Sequence, residues 1–526
     1  MFTEAVEGPS MQRGKFLMAV LFSLVGGASC PLPAEAPEIL GYHAIRVDRN
    51  GDIAPWYGNG PSEAYDHDIR LVWNFWRNMR NCANGVPYYL QHQVWKAGED
   101  DPRGLGGDQI SMALSSWNLL YGYLGDAEVQ KNMVLLADYW LAHGLSSADA
   151  LWPNLPYPYN TDVHSGRYDG DMRAGRGVLQ PDKAGSFAAE LVVLYKITGQ
   201  ERYLQAAVKI ADTLAGKVQA GDAQHSPWPF RVNAATGLVH QEMKDGQTFA
   251  AAYTTNWTPT LRLFAELTAL KAGDAASYRR AAQLTVEWLK TYPLRTNVWG
   301  PFFEDVGTAD FSNTEINADT LAFYILEHPE WDKNWQAQTR GILDWPVREL
   351  GNHDFAKWHV TPINEQTVYR EPGQSHTARY ASVELLYCEK TGDCSRKAQA
   401  IRALNWATYA VDVDGANRFP HDDIWLTDGY GDYIRHYLRA MAEAPELAPE
   451  EQNHLLRTSS VIQSISYRPG EITYTKFDAG SSELFKLGAA LPASIAGGSM
   501  RWDARRRVLH VTATSKSVTI ALRVSS

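Results

Sequence analysis

The chain has 526 residues, of which 45% are hydrophobic and 21% are charged. These are the proportions of a globular protein, and they exclude disordered, collagen-like and fibrous classes. Lysine and arginine number 49 against 60 aspartates and glutamates, so the formal net charge is −11. An acidic chain without a Lys/Arg-rich run lacks the positive surface that neutralises phosphates, so we do not expect nucleic acid as a partner.

The N-terminus has the pattern of an export signal. Arg13 and Lys15 precede a short apolar run, and small residues follow it. The run is too short to span a bilayer, so residues 1–36 are predicted to be a signal peptide with cleavage after Ala36. A lipid anchor at Cys30 is the weaker alternative. We therefore expect an exported protein, periplasmic or secreted, without an integral membrane span.

Repeated helical hairpins dominate the middle of the chain. Amphipathic segments end in a glycine, and a second helical pattern follows, at Gly125, Gly199, Gly273 and Gly392. Glycine at this position favours the left-handed backbone of a helix C-cap. A fifth hairpin turns at residues 328–331. Cys388 and Cys394 flank the turn at Gly392, a spacing that allows a disulfide in an oxidising compartment.

Two single helices, near residues 62–82 and 428–443, would close a ring if they paired with each other. Turns within the hairpins are short, whereas the connections between hairpins are far longer than is usual between bundle helices. The long connections run roughly over residues 83–104, 145–181, 218–256, 291–312, 351–375 and 412–426. This asymmetry predicts an all-α (α/α) toroid of six or seven helical pairs over residues 37–450, with the long connections at one end.

The pattern changes after about residue 450. Short runs of alternating hydrophobicity are separated by Gly, Pro, Ser and Asp turns over residues 455–526. Such runs predict a small C-terminal antiparallel β-sandwich. It has few side chains with catalytic potential, so we interpret it as a packing or accessory domain.

The long connections are rich in aromatic and hydrogen-bonding side chains. A pyranose has an apolar C–H face and a polar rim, so flat rings beside polar groups are typical of a glycan-binding cleft. The candidates for substrate binding are Trp152, Tyr159, Tyr168, Trp228, Arg231, Asn256, Trp257, Asn317 and Trp358. The alternative for any one of these aromatic residues is a place in a small core beneath its own loop.

The polar segment 364–380 opens a helix at the predicted mouth of the toroid. Within it, His376, Arg379 and Tyr380 are related by three or four residues, which predicts that they share one helix face. The catalytic candidates are Tyr380, Tyr369, Arg379, Arg370, His376, Asn160 and His164. The alternative is that His376 only caps the helix, Arg379 only pairs with a loop carboxylate and Asn160 only forms an Asx turn.

This combination resembles the α/α-toroid polysaccharide lyases that act on uronic-acid glycans, and residues 60–445 look most similar to polysaccharide lyase family 38, the alginate and glucuronan lyases. The resemblance lies in the hairpins and in loops such as residues 152–160 and 225–230. It implies a Tyr base or acid, an assisting Arg or His, and an Asn near the uronate carboxylate. The matching residue types are Tyr369 or Tyr380, Arg370 or Arg379, His376, and Asn160 with His164. We expect no metal and no other cofactor.

The predicted chemistry is β-elimination on an acidic polysaccharide. The C5 proton of a uronate becomes acidic only when the carboxylate is neutralised, so Asn, His and Arg around a Tyr base fit this step. The first alternative is an inverting glycoside hydrolase on the same toroid, which needs two carboxylates roughly 6.5–9.5 Å apart. The second is a glycan-binding protein without catalysis, in which the polar clusters would be structural.

Overall fold

The computed structural model describes residues 38–78, 90, 107–162, 165–244, 246–302, 312–419, 422–426 and 430–524. The predicted signal peptide and the candidate His164 lie outside this part of the chain. The helices are α1 (Pro61–Asn78), α2 (Gly107–Leu124), α3 (Ala127–His143), α4 (Pro181–Thr198), α5 (Glu201–Lys217), α6 (Thr258–Leu270), α7 (Ala275–Thr291), the short α8 (Pro293–Thr296), α9 (Glu315–Glu327), α10 (Trp335–Leu350), α11 (Gln374–Thr391), α12 (Lys397–Thr408) and α13 (Tyr430–Glu443).

The long helices of the described chain form two concentric rings. Helices α2, α4, α6, α9, α11 and α13 form the inner ring, in which each helix contacts the next and α13 returns to α2. Helices α1, α3, α5, α7, α10 and α12 form the outer ring. The first helix, α1, contacts the last, α13, and so closes the ring as predicted. The predicted α/α toroid is confirmed, with six helical pairs in the described residues.

Burial follows from the position of each helix in the rings. Nearly every residue of α4 and α11 is buried, because an inner helix is covered on both sides. In α7 the buried residues recur every three or four positions, as expected for a helix with one face in water. None of the described helices has a stretch long and apolar enough to cross a bilayer.

Short turns join each inner helix to the following outer helix at the short-turn end of the toroid. Gly199 and Gly392 have left-handed backbones with φ of 69° and 79°, and their N–H groups donate to the carbonyls of Tyr195 and Cys388. Such a backbone suits glycine because it has no Cβ. Cys388 and Cys394 form a disulfide across the second turn.

Long connections lead back to the N-termini of the inner helices at the opposite, long-loop end. Short antiparallel pairs order the segments before the helices and within these connections. They are formed by β1 (Ile39–Leu40), β2 (His43–Ala44), β3 (Arg46–Val47), β4 (Ile53–Ala54), β5 (Gly170–Asp171), β6 (Gly175–Arg176), β7 (Val178–Leu179), β8 (Val232–Asn233), β9 (Gln241–Lys244), β10 (Gln247–Ala250), β11 (Arg418–Phe419) and β12 (Asp422–Leu426).

The C-terminal strands form two antiparallel four-stranded sheets. The strands are β13 (His454–Thr458), β14 (Ile462–Arg468), β15 (Glu471–Lys476), β16 (Ser481–Lys486), β17 (Ala490–Ala496), β18 (Gly498–Asp503), β19 (Val508–Ala513) and β20 (Ser517–Val524). Their orders are β13-β16-β19-β18 and β14-β15-β20-β17. The predicted C-terminal β-structure is therefore present. It belongs to the same compact unit as the helices, Ile39–Ser526.

The β-strands cover part of the short-turn end. The Tyr467 hydroxyl donates to the carbonyl of Gly122, and the side-chain amide of Gln463 donates to the carbonyl of Lys196. Arg457 donates to both carboxylate oxygens of Glu389. These contacts fix the strands on the C-terminal ends of α2, α4 and α11.

Close packing of α4 on α6 gives a test of the inner ring. A Cβ at Gly185 would lie 1.9 Å from Oγ1 and 3.0 Å from Cβ of Thr260. Gly185→Ala should therefore lower the free energy of unfolding in urea by about 1–3 kcal/mol, as overpacking does. The control Gly216→Ala on α5, whose Cβ would have no neighbour within 4 Å, should raise it by roughly 0.5–1 kcal/mol. Equal stabilities would contradict this helix contact.

Candidate active site

A central cavity of about 690 Å³ lies inside the inner ring. All six inner helices line it, and Ser459 of the β-structure reaches it. This is an ordinary volume for a small-molecule site. Its charged lining residues are Lys183, Glu190, Arg262, Glu266, Asp319, Glu327, Arg379, Arg435 and Arg439.

Three arginines stand at one level of the cavity. Arg262 of α6, Arg379 of α11 and Arg435 of α13 each follow the start of their helix by four or five residues. A rise of about 1.5 Å per residue places them roughly 6–8 Å below the long-loop end. Asp319 of α9 is at the same level. We call Arg262, Arg379 and Arg435 the arginine layer.

Glu315 and Asp319, one turn apart on α9, form a buried carboxyl pair. Burial raises the pKa of Glu315 to about 8, although Arg379 opposes the shift. Burial and the neighbouring Glu315 also raise the pKa of Asp319. Apart from Glu315, no described residue hydrogen-bonds a carboxylate oxygen of Asp319. The pair therefore holds a proton at neutral pH, and Asp319 is the member of the pair that lines the cavity.

His376 and Arg379 both face this carboxyl pair. Nδ1 of His376 lies 2.8 Å from Oε2 of Glu315, and Nε of Arg379 lies 3.5 Å from Oε1. Burial, together with the charge of Arg379, lowers the pKa of His376 to about 3. The imidazole is therefore neutral, and its contact with Glu315 fixes the ring orientation. The structure thus brings two of the sequence candidates to one place.

The remaining arginines give the cavity a positive interior. Arg262 donates to the carboxylate of Glu190, and the guanidinium of Arg439 lies 4.0 Å from the centre of the Phe323 ring. Burial lowers the pKa of Arg435, and the charges of Arg439 and Arg379 lower it further. These cations repel one another, so an anionic ligand between them would be stabilised.

Polar side chains near the long-loop end form hydrogen bonds that attach the long connections to the inner helices. Nζ of Lys183 donates to the carbonyl of Phe302 at 2.6 Å and to the carboxylate of Asp182 at 3.1 Å. The side-chain amide of Asn256 donates to Asp182 at 2.9 Å. Among the residues predicted from the sequence to bind substrate, Asn256 lines the cavity.

Tyr380 does not share the cavity-facing side of α11 with Arg379. Its hydroxyl donates to Oε1 of Glu384 at 2.8 Å, and Glu384 accepts from Arg340 of the outer ring. The prediction that Tyr380 shares one helix face with Arg379 is therefore wrong, because the side chains of adjacent helical residues point about 100° apart. Burial and the Glu384 charge raise the pKa of Tyr380, the opposite of what a base requires.

Tyr369 and Arg370 lie on the surface of the connection before α11. The Tyr369 residue is 47% exposed. Arg370 donates to the backbone carbonyl of Glu349 at 2.9 Å. The structure therefore separates both candidates from the arginine layer.

The candidates in the connection between α3 and α4 form a separate group. Tyr159 is buried and pairs with Gly170 through its backbone, and the Tyr168 hydroxyl donates to the carbonyl of Leu90. Asn160 is also buried, and its side-chain amide has no hydrogen-bond partner within the described ranges. Tyr159 and Tyr168 order the connection, and neither they nor Asn160 belong to the lining of the cavity.

The predicted stacking tryptophans are mostly core residues. Trp228 and Trp257 are fully buried with ring centres 4.8 Å apart, and their indole N–H groups donate to backbone carbonyls. Trp152 is buried in the same core cluster. Trp358 is half-buried with the Lys357 ammonium above its ring. Trp228, Trp257 and Trp152 therefore belong to the core beneath their loops, which was the alternative to sugar binding. Their rings are not accessible to a sugar.

Arg231 and Asn317 also have structural partners. Arg231 is buried and donates to the carboxylates of Asp171 and Glu242. The side-chain amide of Asn317 donates to the carbonyls of Trp299 and Pro301. Arg231 joins two long connections to each other, and Asn317 joins a long connection to the inner helix α9.

Sequence reasoning missed the charged residues of the inner helices. These residues are Glu190, Arg262, Asp319, Arg435 and Arg439. The available signal was the four-residue spacing of charges on one helix, as in Glu315 with Asp319 and Arg435 with Arg439. A metal-binding cluster of three or more His, Cys, Asp or Glu is absent from the described residues.

The carboxyl pair predicts a pH dependence of stability. Because the pKa of Glu315 rises from about 4.3 in an unfolded chain to about 8, the folded state binds more protons between these values. The free energy of unfolding should therefore fall as pH rises through this window, by at most about 1.4 kcal/mol per pH unit for one proton. Urea unfolding of Glu315→Gln at pH 5.5, 6.5 and 7.5 should show a smaller fall.

The matched control is Glu287→Gln on the exposed side of α7. It should keep the pH dependence of the original protein. Parallel profiles for the Glu315→Gln variant and the original protein would show that Glu315 is ionised in the folded state.

Comparison with known proteins places the fold but not the family. No family model matches the sequence, and no curated protein sequence matches it significantly. A sugar epimerase from a ruminal bacterium is similar in structure, with a TM-score of 0.53 and 14% identity over 72% of this chain and 98% of the epimerase. A D-mannose isomerase matches with a TM-score of 0.53 and 10% identity over 73% and 99% of the two chains. Cellobiose 2-epimerase from Spirochaeta thermophila DSM 6192 matches with a TM-score of 0.51 and 12% identity over 72% and 96%. At these identities the likeness shows a shared α/α-toroid fold.

Proposed function

We propose that the protein is an exported glycan-processing enzyme that cleaves a uronate-containing polysaccharide, of alginate or glucuronan type, by β-elimination in the central cavity. The observation that carries the proposal is the meeting of Arg379 with the protonated carboxyl pair at the cavity wall. A guanidinium donates hydrogen bonds to a carboxylate, and the arginine layer adds positive charge that a protonated carboxyl pair does not cancel. A uronate carboxylate would be neutralised in this environment.

Each step of the elimination has a candidate group. Arg379, Arg262 and Arg435 would hold the uronate carboxylate and so acidify the proton at C5. Glu190, whose carboxylate is held by Arg262, would accept that proton as the C4–C5 double bond forms. Asp319 would give its proton to the glycosidic oxygen that leaves C4. Tyr380 and Tyr369 have no part in this scheme.

Two further observations support the proposal. The similar structures include a sugar epimerase and a D-mannose isomerase, and this analogy of fold agrees with a sugar ligand without selecting the reaction. The disulfide between Cys388 and Cys394 fits an oxidising compartment, as does the export signal in the sequence.

Inverting hydrolysis is the second candidate, and the carboxyl pair favours it. Such hydrolases use a protonated acid and an ionised base. Asp319 could serve as the acid because it shares a proton with Glu315, and Glu190, which is paired with Arg262, is a second carboxylate in the cavity lining. Elimination fits the cavity better, since hydrolysis does not require an arginine cluster beside the acid.

The products of the reaction separate the two candidates. We expect the protein to release unsaturated products, detected by ultraviolet absorbance, from alginate or glucuronan, with pectin-type and glycosaminoglycan substrates as comparisons. New reducing ends without a double bond would contradict elimination and support hydrolysis. The absence of both signals on all four substrates would contradict a glycan-cleaving function.

Arg379→Lys tests the proposed carboxylate contact. Lysine keeps the charge but lacks the planar pair of donors, so kcat/KM should fall by about 10²–10³. The melting temperature should stay near that of the original protein. The control Arg348→Lys, at an arginine whose side chain is 58% exposed on α10, should keep full activity. Unchanged kinetics in Arg379→Lys would show that Arg379 does not bind the carboxylate.

A further inference from the structure

Exposure of the cavity lining increases toward the short-turn end. Near the long-loop end, Lys183 and Phe302 are buried. Toward the short-turn end, Ala269 is exposed, and the side chain of Glu327 is 44% exposed. The exposed or half-exposed lining residues in the second half of α6 and at the end of α9 are Ala265, Glu266, Ala269, Glu327 and His328. The cavity therefore opens at the short-turn end.

The β-structure leaves this opening uncovered. Tyr467, Gln463 and Arg457 hold it on the ends of α2, α4 and α11. Ser459 is the residue of the β-structure that lines the cavity. The last turns of α6 and α9 form the exposed part of the lining at this end.

The rim of the opening is balanced in charge. Glu266 pairs with Lys196 at 2.6 Å, and Glu327 pairs with Lys390 at 3.1 Å. The carboxylates of the rim are thus compensated, while arginines line the cavity further inside. An anionic ligand at the opening would be attracted inward and not repelled at the rim.

The same wall offers a surface for a sugar ring. Tyr324 lines the cavity and is half-buried, and Phe323 beside it packs against the guanidinium of Arg439. The flat face of a pyranose stacks on such rings, and its carboxylate would reach Arg439. Ala265 and Ala269 of the neighbouring helix α6 also line the cavity and contribute only methyl groups, which leaves room for a ligand.

We propose that this opening is a saccharide-binding subsite, through which the end of a uronate-containing chain reaches the arginine layer. The inference rests on the proposed function and adds the direction from which the substrate arrives. One sugar would stack on Tyr324 with its carboxylate near Arg439, and the next would place its carboxylate at Arg379. The substrate would thus enter past the last turns of α6 and α9.

A bulky side chain in the opening tests the proposal. Ala269→Trp should raise KM for alginate or glucuronan oligosaccharides by about tenfold or more, because it fills the path through the opening. The control is Ala337→Trp, at an exposed alanine of the outer helix α10, which should leave KM unchanged. Tyr324→Ala removes the ring without filling the path, and it should also raise KM while the melting temperature shows an intact fold.

The outcomes distinguish this inference from the proposed function. Turnover by the original protein with unchanged KM in both Ala269→Trp and Tyr324→Ala would overturn the subsite and leave the function standing. An original protein that neither binds nor converts any of these oligosaccharides would overturn the function and the subsite with it. A raised KM in both variants, with the Ala337→Trp control unaffected, would support the subsite.

Discussion

Polar contacts between neighbouring inner helices are the constraint on which the lining of the cavity depends. Removing one charge from water costs several kcal/mol unless a partner compensates it. Arg262 donates to the carboxylate of the buried Glu190 and so joins α6 to α4, and Arg379 beside the carboxyl group of Glu315 joins α11 to α9. The first contact compensates a desolvated charge, and both contacts restrict the rotation of two adjacent helices. The side chains that carry the proposed chemistry therefore also hold the ring together.

The protonation of the carboxyl pair decides the sign of the field inside the cavity. If Glu315 and Asp319 were both ionised, their charges would cancel much of the arginine layer. Because burial keeps a proton on the pair, the pair cancels less of this positive charge. An anion that binds only the folded cavity would therefore also stabilise the fold.

The sequence predicts the toroid better than the site because helix ends are set locally. Gly199 and Gly392 mark the short turns, since a left-handed backbone is required where they lie. The site depends on which side of each helix faces inward, and this emerges only when the ring closes. Arg379 and Tyr380 are neighbours in sequence, yet one lines the cavity and the other bonds to Glu384.

Aromatic residues in the long connections were misleading for a related physical reason. A connection of this length must bury its own backbone and so needs large apolar side chains beneath it. Trp228 and Trp257 meet that need, with their indole N–H groups donating to backbone carbonyls. The sequence alone does not distinguish a tryptophan that is buried beneath a loop from one that stacks on a sugar.

The contacts of the β-structure explain where the cavity opens. The last carbonyls of a helix lack intrahelical partners, and the C-terminal β-structure supplies donors to α2 and α4 through Tyr467 and Gln463. Helices α4 and α6 both end in a left-handed residue whose N–H donates back to the helix, Gly199 in α4 and Lys271 in α6. The cap therefore does not distinguish the two helices. The difference lies in their surroundings, because strand side chains bond to the end of α4, whereas Ala269 in the last turn of α6 is exposed and lines the cavity.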